Sequence, residues 1–178
     1  HRNQWYRFFS CGLIHADVVH LAFNMYALYL FGRNVEEYFG LIFQEKGKIL
    51  YLAMYVLALL AALLPTYTRH KNDSYYRSLG ASGAVSAVIF ASILLEPERG
   101  IGFVFIPGVY IPGFLFGFLY LIISSYLDKR GGGNINHSAH IFGALFGIAF
   151  LIVMAYAFSD YRVLDTFITR VTRYLQSF

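Results

Sequence analysis

The stretch GASGAVSAVIFASILL, residues 80–95, joins a serine flanked by glycines to a run of apolar residues. Between Ser82 and Leu95 it carries no charged side chain. Such a run predicts a helix inside a lipid bilayer, because there the backbone must satisfy its own hydrogen bonds. A hydroxyl at the start of a membrane helix indicates function by default, since polar groups inside the membrane are costly.

The whole chain has the composition of a membrane protein. Of its 178 residues, 58% are hydrophobic and 13% are charged, whereas soluble domains carry about a quarter charged residues. The formal net charge of +4, with no compact basic block, favours contact with anionic lipid over nucleic acid. The single cysteine, Cys11, excludes an intrachain disulfide.

The apolar runs predict an all-α fold, a polytopic membrane helix bundle with five membrane helices. The second helix should end at Pro65, and two Pro-Gly pairs should form a loop ahead of the fourth. The expected helices cover residues 13–32, 48–64, 82–95, 113–127 and 137–158.

The tail differs in kind from the apolar runs. Residues 161–178 place apolar side chains at helical spacing opposite a polar face, which predicts an amphipathic helix on the membrane surface. The alternative is a soluble helix without a packing partner. We therefore expect a membrane domain at residues 1–158 and a surface tail at residues 159–178.

A small set of polar side chains lies in or beside the predicted spans: His15, His20, Asn24, Ser82 and His140. A serine nucleophile needs a base, and histidine is the usual base near neutral pH, so Ser82 and His140 are candidates for a hydrolytic pair. His20 and Asn24 are one helical turn apart. Both can donate hydrogen bonds to the negative oxygen that forms when a serine attacks a carbonyl.

Each candidate also has a purely structural explanation. Ser82 between glycines, or His140 followed by Gly143, fits a small-residue packing surface between helices. His20 and Asn24 fit hydrogen bonds that join neighbouring helices. Four histidines also offer metal-ligand chemistry, although no compact ligand motif links them: His15, His20, His137 and His140.

Taken together, the motifs resemble those of the rhomboid family of intramembrane serine proteases. They are, in chain order, His15-x4-His20-x3-Asn24, Gly80-Ala81-Ser82-Gly83 and Ala139-His140-x2-Gly143-x3-Gly147. Tyr6-Arg7 resembles the aromatic-Arg motif of the family's first extramembrane loop. Gly32 to Glu36 is similar to the Gly-x-x-x-Glu that closes the following helix. The resemblance covers residues 4–154.

The resemblance implies a role for each site residue. Ser82 would be the nucleophile and His140 its general base. The oxyanion hole would consist of His20, Asn24 and the backbone N–H of Ser82. Supporting positions would be His15, Gly80, Gly83 and Gly143.

The resemblance also implies an activity and a location. The protein would cleave transmembrane segments of single-pass membrane proteins within the lipid bilayer, without a cofactor, a metal or nucleic acid. It would lie in a bacterial inner membrane, with the site open to the outer face. The alternative is a non-proteolytic rhomboid-like protein that binds membrane helices. A histidine-lined transporter is a more distant alternative. Its ionisable groups should be paired near the middle of the membrane, whereas His15, His20 and His140 lie near the ends of the predicted spans.

The chain departs from the family pattern in two ways. The basic form of the family has six membrane helices, so the resemblance implies a further helix before His1. Many members also carry a tyrosine, four residues after the serine, that stacks on the catalytic histidine. Here that residue is Ser86, so other contacts must hold His140, and an aromatic side chain elsewhere in the chain is one candidate.

The Pro-Gly pairs also suggest how a substrate reaches the site. Residues 106–113 are expected to act as a hinge, because hinges are often loop or helix-end positions. Phe114, Phe116 and Phe118 follow directly. Their rings are expected to plug a gap against the helix that carries His15 and His20. The alternative is that these rings merely face lipid.

Overall fold

The fold is a bundle of α-helices, seen in a computed structural model. The structure describes residues 4, 6–73, 75–103, 106–131 and 135–178. Of the side chains in these ranges, those of Phe103, Ile106 and Pro107 lie outside the description. The helices are α1 Arg7–Ser10, α2 Val18–Phe43, α3 Gly47–His70, α4 Ser82–Leu95, α5 Gly113–Arg130, α6 His137–Phe158 and α7 Val163–Leu175. The strands are β1 Gly100–Phe103 and β2 Ile106–Pro112.

The all-α prediction is confirmed, and α2, α3 and α6 have the composition of membrane spans. Among the described residues, two helical stretches are long and apolar enough to cross a bilayer, 18–70 and 137–158. The first is really two helices, because the chain reverses at Gln44, which has a φ of 52°. By the same measure α4 is apolar but short. The bundle accommodates that shortness, because α4 lies at the centre and packs against α2, α3, α5 and α6.

Two of the predicted helices have wrong bounds. The first helix begins at Val18 and not at 13, because the Asp17 carboxylate accepts a hydrogen bond from the His20 backbone N–H at 2.7 Å and so caps the helix. It also continues past Gly32 to Phe43. The second helix runs through Pro65 to His70. A single proline removes only one backbone hydrogen bond, and packing within a bundle tolerates that loss.

The Pro-Gly region forms a hairpin instead of the expected loop. Strands β1 and β2 pair antiparallel, with Ile101 opposite Ile111. The fourth helix begins at Gly113 as predicted. Its start is fastened to the loop after α4, because the Gly113 N–H donates to the Arg99 carbonyl at 2.9 Å and the Phe114 N–H donates to the Pro97 carbonyl at 2.8 Å. The segment expected to be a hinge is therefore a paired strand.

The three rings expected to plug a gap, those of Phe114, Phe116 and Phe118, lie in different environments. Phe114 contacts Tyr174 of α7, with ring centroids 5.9 Å apart. Phe116 stacks on Tyr120 of its own helix, also at 5.9 Å. The Phe118 ring is 63% exposed. The plug itself stays a prediction.

The alternating direction of the helices brings the candidate site residues to one end of the bundle. The tight reversal at Gln44–Lys46 makes α2 and α3 antiparallel, and α5 returns from the end where α4 finishes. The starts of α2, α4 and α6 therefore share one end. His20, Ser82 and His140 all lie within the first four residues of these helices.

The last helix docks at the opposite end of the bundle. α7 packs against α4 and α6, and its Val163 is buried. Arg170 makes the main polar contacts. Its Nε donates to the Glu98 carboxylate at 2.8 Å and its Nη1 donates to the Leu95 carbonyl at 2.9 Å. The alternative of a helix without a packing partner is therefore wrong, whereas its place on the membrane surface stays a prediction.

We expect Glu98→Gln to weaken this docking in a pH-dependent way. Burial raises the pKa of Glu98, but hydrogen bonding from Arg170 outweighs it and leaves the pKa below its ordinary value of 4.5. Such a carboxylate stabilises the fold above pH 4.5, and this stability is lost as the pH falls through its native pKa. At pH 7 the variant should unfold roughly 2–4 °C earlier, which corresponds to about 1 kcal/mol in a chain of this size. Thermal unfolding in detergent between pH 3 and 7 measures this.

Asp165→Asn is the matched control, because it removes a more exposed ion pair, to Arg162. Exposed pairs contribute little to stability. If the two variants unfold at the same temperature at every pH, the Glu98–Arg170 contact does not hold α7 in place.

Candidate active site

The structure brings Ser82 and His140 into direct contact. Ser82 is the first residue of α4, and His140 lies in the first turn of α6. His140 Nε2 is 2.7 Å from Ser82 Oγ. Both side chains are half-buried. A serine hydroxyl in this position can donate its hydrogen to the imidazole, as a nucleophile must when its base takes the proton.

Glycines allow the two helices to approach closely enough for this contact. A Cβ on Gly143 would lie 2.0 Å from the Gly83 carbonyl oxygen, and one on Gly147 would lie 2.2 Å from the Ala87 carbonyl oxygen. Small residues of this kind let helix backbones touch inside a membrane. The packing explanation considered for Ser82 therefore fits the glycines, while the Ser82 hydroxyl bonds to histidine.

His20 lies against the turn that leads into α4. Gly80 has a φ of +102°, and a Cβ there would meet His20 Cε1 at 2.7 Å and His15 Cδ2 at 3.7 Å. Only glycine combines that backbone conformation with so close a neighbour. The His15 and His20 rings meet edge to face, with centroids 5.3 Å apart. Both predicted histidines thus lie at the turn that precedes Ser82.

Asn24 lies one turn further along α2 and is 5% exposed. Its Nδ2 donates to the His20 carbonyl at 2.9 Å. An amide nitrogen carries two N–H groups, and this bond uses one of them. The second N–H is what the predicted oxyanion role of Asn24 requires.

The start of α4 adds backbone donors next to the Ser82 hydroxyl. The first N–H groups of a helix have no partner within that helix, and the helix dipole gives this end a partial positive charge. Because α4 begins at Ser82, the backbone N–H of Ser82 is one of these unpaired groups. That location suits an oxygen on which negative charge develops.

A tyrosine from α5 contacts the far side of the His140 ring. The Tyr120 hydroxyl oxygen is 2.9 Å from His140 Nδ1, and the two rings lie nearly parallel at 20°. Because position 86 is serine, the sequence implied that other contacts hold His140, but it did not identify which residue makes them. The available signal was a tyrosine within the apolar first part of this helix, residues 113–123.

Asn136 connects three elements at this end of the bundle, and sequence analysis missed it too. Its Oδ1 accepts from the Ala139 N–H at 3.0 Å and so caps α6. Its Nδ2 donates to Ser78 Oγ at 3.0 Å and to Thr66 Oγ1 at 3.1 Å. The signal was an asparagine immediately before an apolar helix, which is a preferred cap.

A cavity of about 10 Å³ lies beside Ser82. Ser78, Ser82 and Asn136 contribute to its lining. A cavity of this size holds about one water molecule, provided that polar partners are available. Water can therefore be held next to the Ser82 hydroxyl.

The histidines do not assemble a metal cluster in the part of the chain that the structure describes. No group of three His, Cys, Asp or Glu residues that could hold an ion is found there. Within the same residues, some buried polar atoms have no hydrogen-bond partner: His15 Nε2, His137 Nδ1 and Ser138 Oγ.

Comparison with known protein families decides the class to which this arrangement belongs. The Rhomboid domain matches residues 2–157. The chain belongs to the rhomboid family. This family includes intramembrane serine proteases.

Three rhomboid relatives show how far the similarity extends. RHOMBOID-like protein 12, mitochondrial, of Arabidopsis thaliana is 35% identical over 144 residues, which cover 73% of this chain and 40% of that protein. Presenilin-associated rhomboid-like protein, mitochondrial, of Bos taurus is 31% identical over 146 residues, 77% of this chain and 35% of that protein. Rhomboid-like protein 11, chloroplastic, of Arabidopsis thaliana is 28% identical, with 85% and 53% covered. This rhomboid chain thus spans between about a third and a half of these relatives. No solved structure matches it.

The expected bacterial inner membrane is wrong. The relatives are named as mitochondrial or chloroplastic proteins. The reason for the error is physical: a rhomboid bundle and a Ser–His pair have the same requirements in any bilayer. Neither the apolar spans nor the motifs therefore identify the compartment.

We expect Asn24→Ala and His20→Ala each to slow this rhomboid without silencing it. Loss of one oxyanion donor typically lowers kcat by about 10² to 10³. Labelling of Ser82 by a fluorophosphonate should persist at a reduced rate. Met25→Ala is the matched control, because Met25 is adjacent and 42% exposed. If both variants cleave a membrane substrate at the wild-type rate, other groups stabilise the oxyanion.

Proposed function

We propose that this rhomboid is a serine endopeptidase that cleaves transmembrane segments of single-pass membrane proteins. Ser82 acts as the nucleophile and His140 as the general base. The observation that carries the proposal is the 2.7 Å contact between His140 Nε2 and Ser82 Oγ. Family membership supports it, because the motifs that contribute the two residues fall within the matched domain.

The chemistry is acyl transfer in two stages. Ser82 Oγ attacks the scissile carbonyl carbon while His140 Nε2 takes the hydroxyl proton. The tetrahedral intermediate collapses, the C–N bond breaks and His140 returns the proton to the leaving amine. Water then attacks the acyl-serine, again with His140 as base, which releases the new carboxyl end and restores Ser82.

The negative oxygen of the intermediate would be held at the start of α4. The Ser82 N–H lies at a helix N-terminus, where backbone donors and the helix dipole favour negative charge. His20 lies against Gly80 in the same turn, and Asn24 is buried beside it on α2. These groups supply three donors from two helices.

Hydrolysis also requires water and an accessible peptide bond. The cavity beside Ser82 has room for about one water molecule. A peptide bond within a substrate helix is hydrogen-bonded and shielded, so the substrate must unwind before it can be cut. Helix-breaking residues near the cleaved bond favour unwinding.

The proposed location is an organellar membrane. The relatives named for mitochondria or chloroplasts are similar over 73% to 85% of this chain. Fractionation of cells that express the tagged full-length protein tests this. Recovery with mitochondria or plastids supports it, and recovery with another membrane contradicts it.

Reconstitution tests the activity directly. The purified protein is placed in liposomes with a single-pass substrate that carries a Gly-Pro pair near one end of its span. We expect two fragments, whose new ends mass spectrometry places within the span, and slower cleavage when Leu-Leu replaces Gly-Pro. A protein that binds the substrate in a pull-down but yields no fragments supports the binding-only alternative and contradicts the proposal.

A further inference from the structure

We propose that Tyr120 is the positioning residue for His140, holding the imidazole in the tautomer and orientation that Ser82 requires. This inference rests on the proposed function, since it assigns the third member of the hydrolytic site. Tyr120 lies on α5, a helix that carries none of the motif residues. It requires neither an acidic partner nor a metal.

The contact reaches the histidine from the side opposite Ser82. His140 Nε2 lies 2.7 Å from Ser82 Oγ, and His140 Nδ1 lies 2.9 Å from the Tyr120 hydroxyl oxygen. Both ring nitrogens are therefore engaged, each by a different helix. The Tyr120 ring is also tilted only 20° from the imidazole, so it limits rotation of His140 about its side-chain bonds.

The tautomer follows from what a base must do. To accept the serine proton, Nε2 must carry a free lone pair, so the hydrogen of a neutral imidazole lies on Nδ1. That N–H needs an acceptor, and the Tyr120 oxygen is within reach. When His140 takes the proton from Ser82, the same bond becomes charge-assisted and stronger. Tyr120 therefore stabilises the charged histidine more than the neutral one.

The tyrosine is itself held in place from several directions. Its ring contacts Phe90 of α4 and Phe116 of α5, with centroid separations of 5.7 Å and 5.9 Å. Its hydroxyl interacts with the side chains of Ser86 and Ser124. Both serines are 4% exposed. A serine hydroxyl can both donate and accept, so either one can accept the Tyr120 O–H while the Tyr120 oxygen accepts from His140.

Ser86 explains why a tyrosine from α5 can reach His140. It lies one turn after Ser82 on α4, so its side chain is on the same face as the nucleophile. A serine there is small enough to admit a ring from α5 and polar enough to bond to its hydroxyl. A neutral phenol also orients the imidazole without placing a second charge in the membrane, which would be costly.

Tyr120→Phe tests the proposal, because it keeps the ring and removes the hydroxyl. Tyr126→Phe is the matched control, on the same helix but 63% exposed. We expect kcat for the reconstituted substrate to fall about tenfold to a hundredfold in Tyr120→Phe, as for loss of a hydrogen bond to a charged group. KM should be unchanged, whereas the unfolding temperature should fall slightly, because the removed hydroxyl is hydrogen-bonded within the bundle. Tyr126→Phe should match the wild type.

A second measurement reads the tautomer without relying on activity. Solid-state ¹⁵N spectra of histidine-labelled protein are recorded, with the His140 signals assigned by their loss in His140→Ala. We expect the Nδ1–H tautomer in the wild type and a mixture in Tyr120→Phe. An identical His140 tautomer in both proteins overturns the proposal. So does a decrease in kcat for Tyr120→Phe that is no larger than the decrease for Tyr126→Phe. A wild type that shows the expected tautomer but cleaves nothing contradicts only the proposed function.

Discussion

Ser82→Ala and His140→Ala should each abolish cleavage while the protein stays folded. The two side chains form one hydrogen-bonded pair at 2.7 Å. The rate effects of replacing residues that act as such a unit are not additive, so either replacement alone should remove nearly all of the rate enhancement that the pair provides. The expected fall in kcat is on the order of 10⁶. Turnover of the liposome substrate and thermal unfolding, measured on the same preparations, test this.

The matched controls for this pair replace residues of the same type elsewhere. Ser125→Ala removes a serine from α5, and His70→Ala removes a histidine from the end of α3. Both should keep turnover close to that of the wild type. Turnover by Ser82→Ala protein above a preparation without rhomboid would show that another group performs the chemistry.

Gly143→Ala should nearly abolish activity from a position that carries no reactive group. A Cβ there would lie 2.0 Å from the Gly83 carbonyl oxygen, which is backbone of the turn that holds Ser82. Backbone cannot move aside as a side chain does, so α6 must shift away from α4 and carry His140 with it. A misplacement of about 1 Å costs on the order of 10² in rate. Overpacking should also destabilise the fold by about 1–3 kcal/mol.

Gly40→Ala is the control for the added methyl group. Gly40 also lies within a helix, but nothing is found within 4 Å of a Cβ placed there. Alanine is the better helix former by about 1 kcal/mol. We expect this variant to unfold at the same temperature as the wild type or higher and to keep full activity. Wild-type turnover by Gly143→Ala would show that the α4–α6 approach does not set the Ser82–His140 distance.

The elements that sequence predicted well are those governed by a single local pattern. The third and fifth spans agree with α4 and α6 at both ends. Each is an uninterrupted apolar run bounded by polar or turn-forming residues. The pairing of Ser82 with His140 followed from the joint motif, and the glycines that enforce it were visible as small residues at helical spacing.

The elements that sequence missed depend on tertiary neighbours. Pro65 predicted a helix end, but α3 continues because packing offsets one lost hydrogen bond. The Pro-Gly segment became a strand because Gly100–Phe103 lies opposite it. Tyr120 is 20 residues from His140 in sequence, and only the packing of α5 on α6 reveals which tyrosine meets the imidazole.

The most direct test of the central claim is the position of a fluorophosphonate adduct. Such a reagent reacts with a serine whose hydroxyl is activated by a neighbouring base. The purified protein is treated with the reagent, digested and analysed by mass spectrometry, alongside His140→Ala. The Ser82–His140 dyad predicts one adduct, on Ser82, that is lost when His140 is replaced. A folded wild-type protein with no adduct on Ser82, or with equal labelling in His140→Ala, would contradict it.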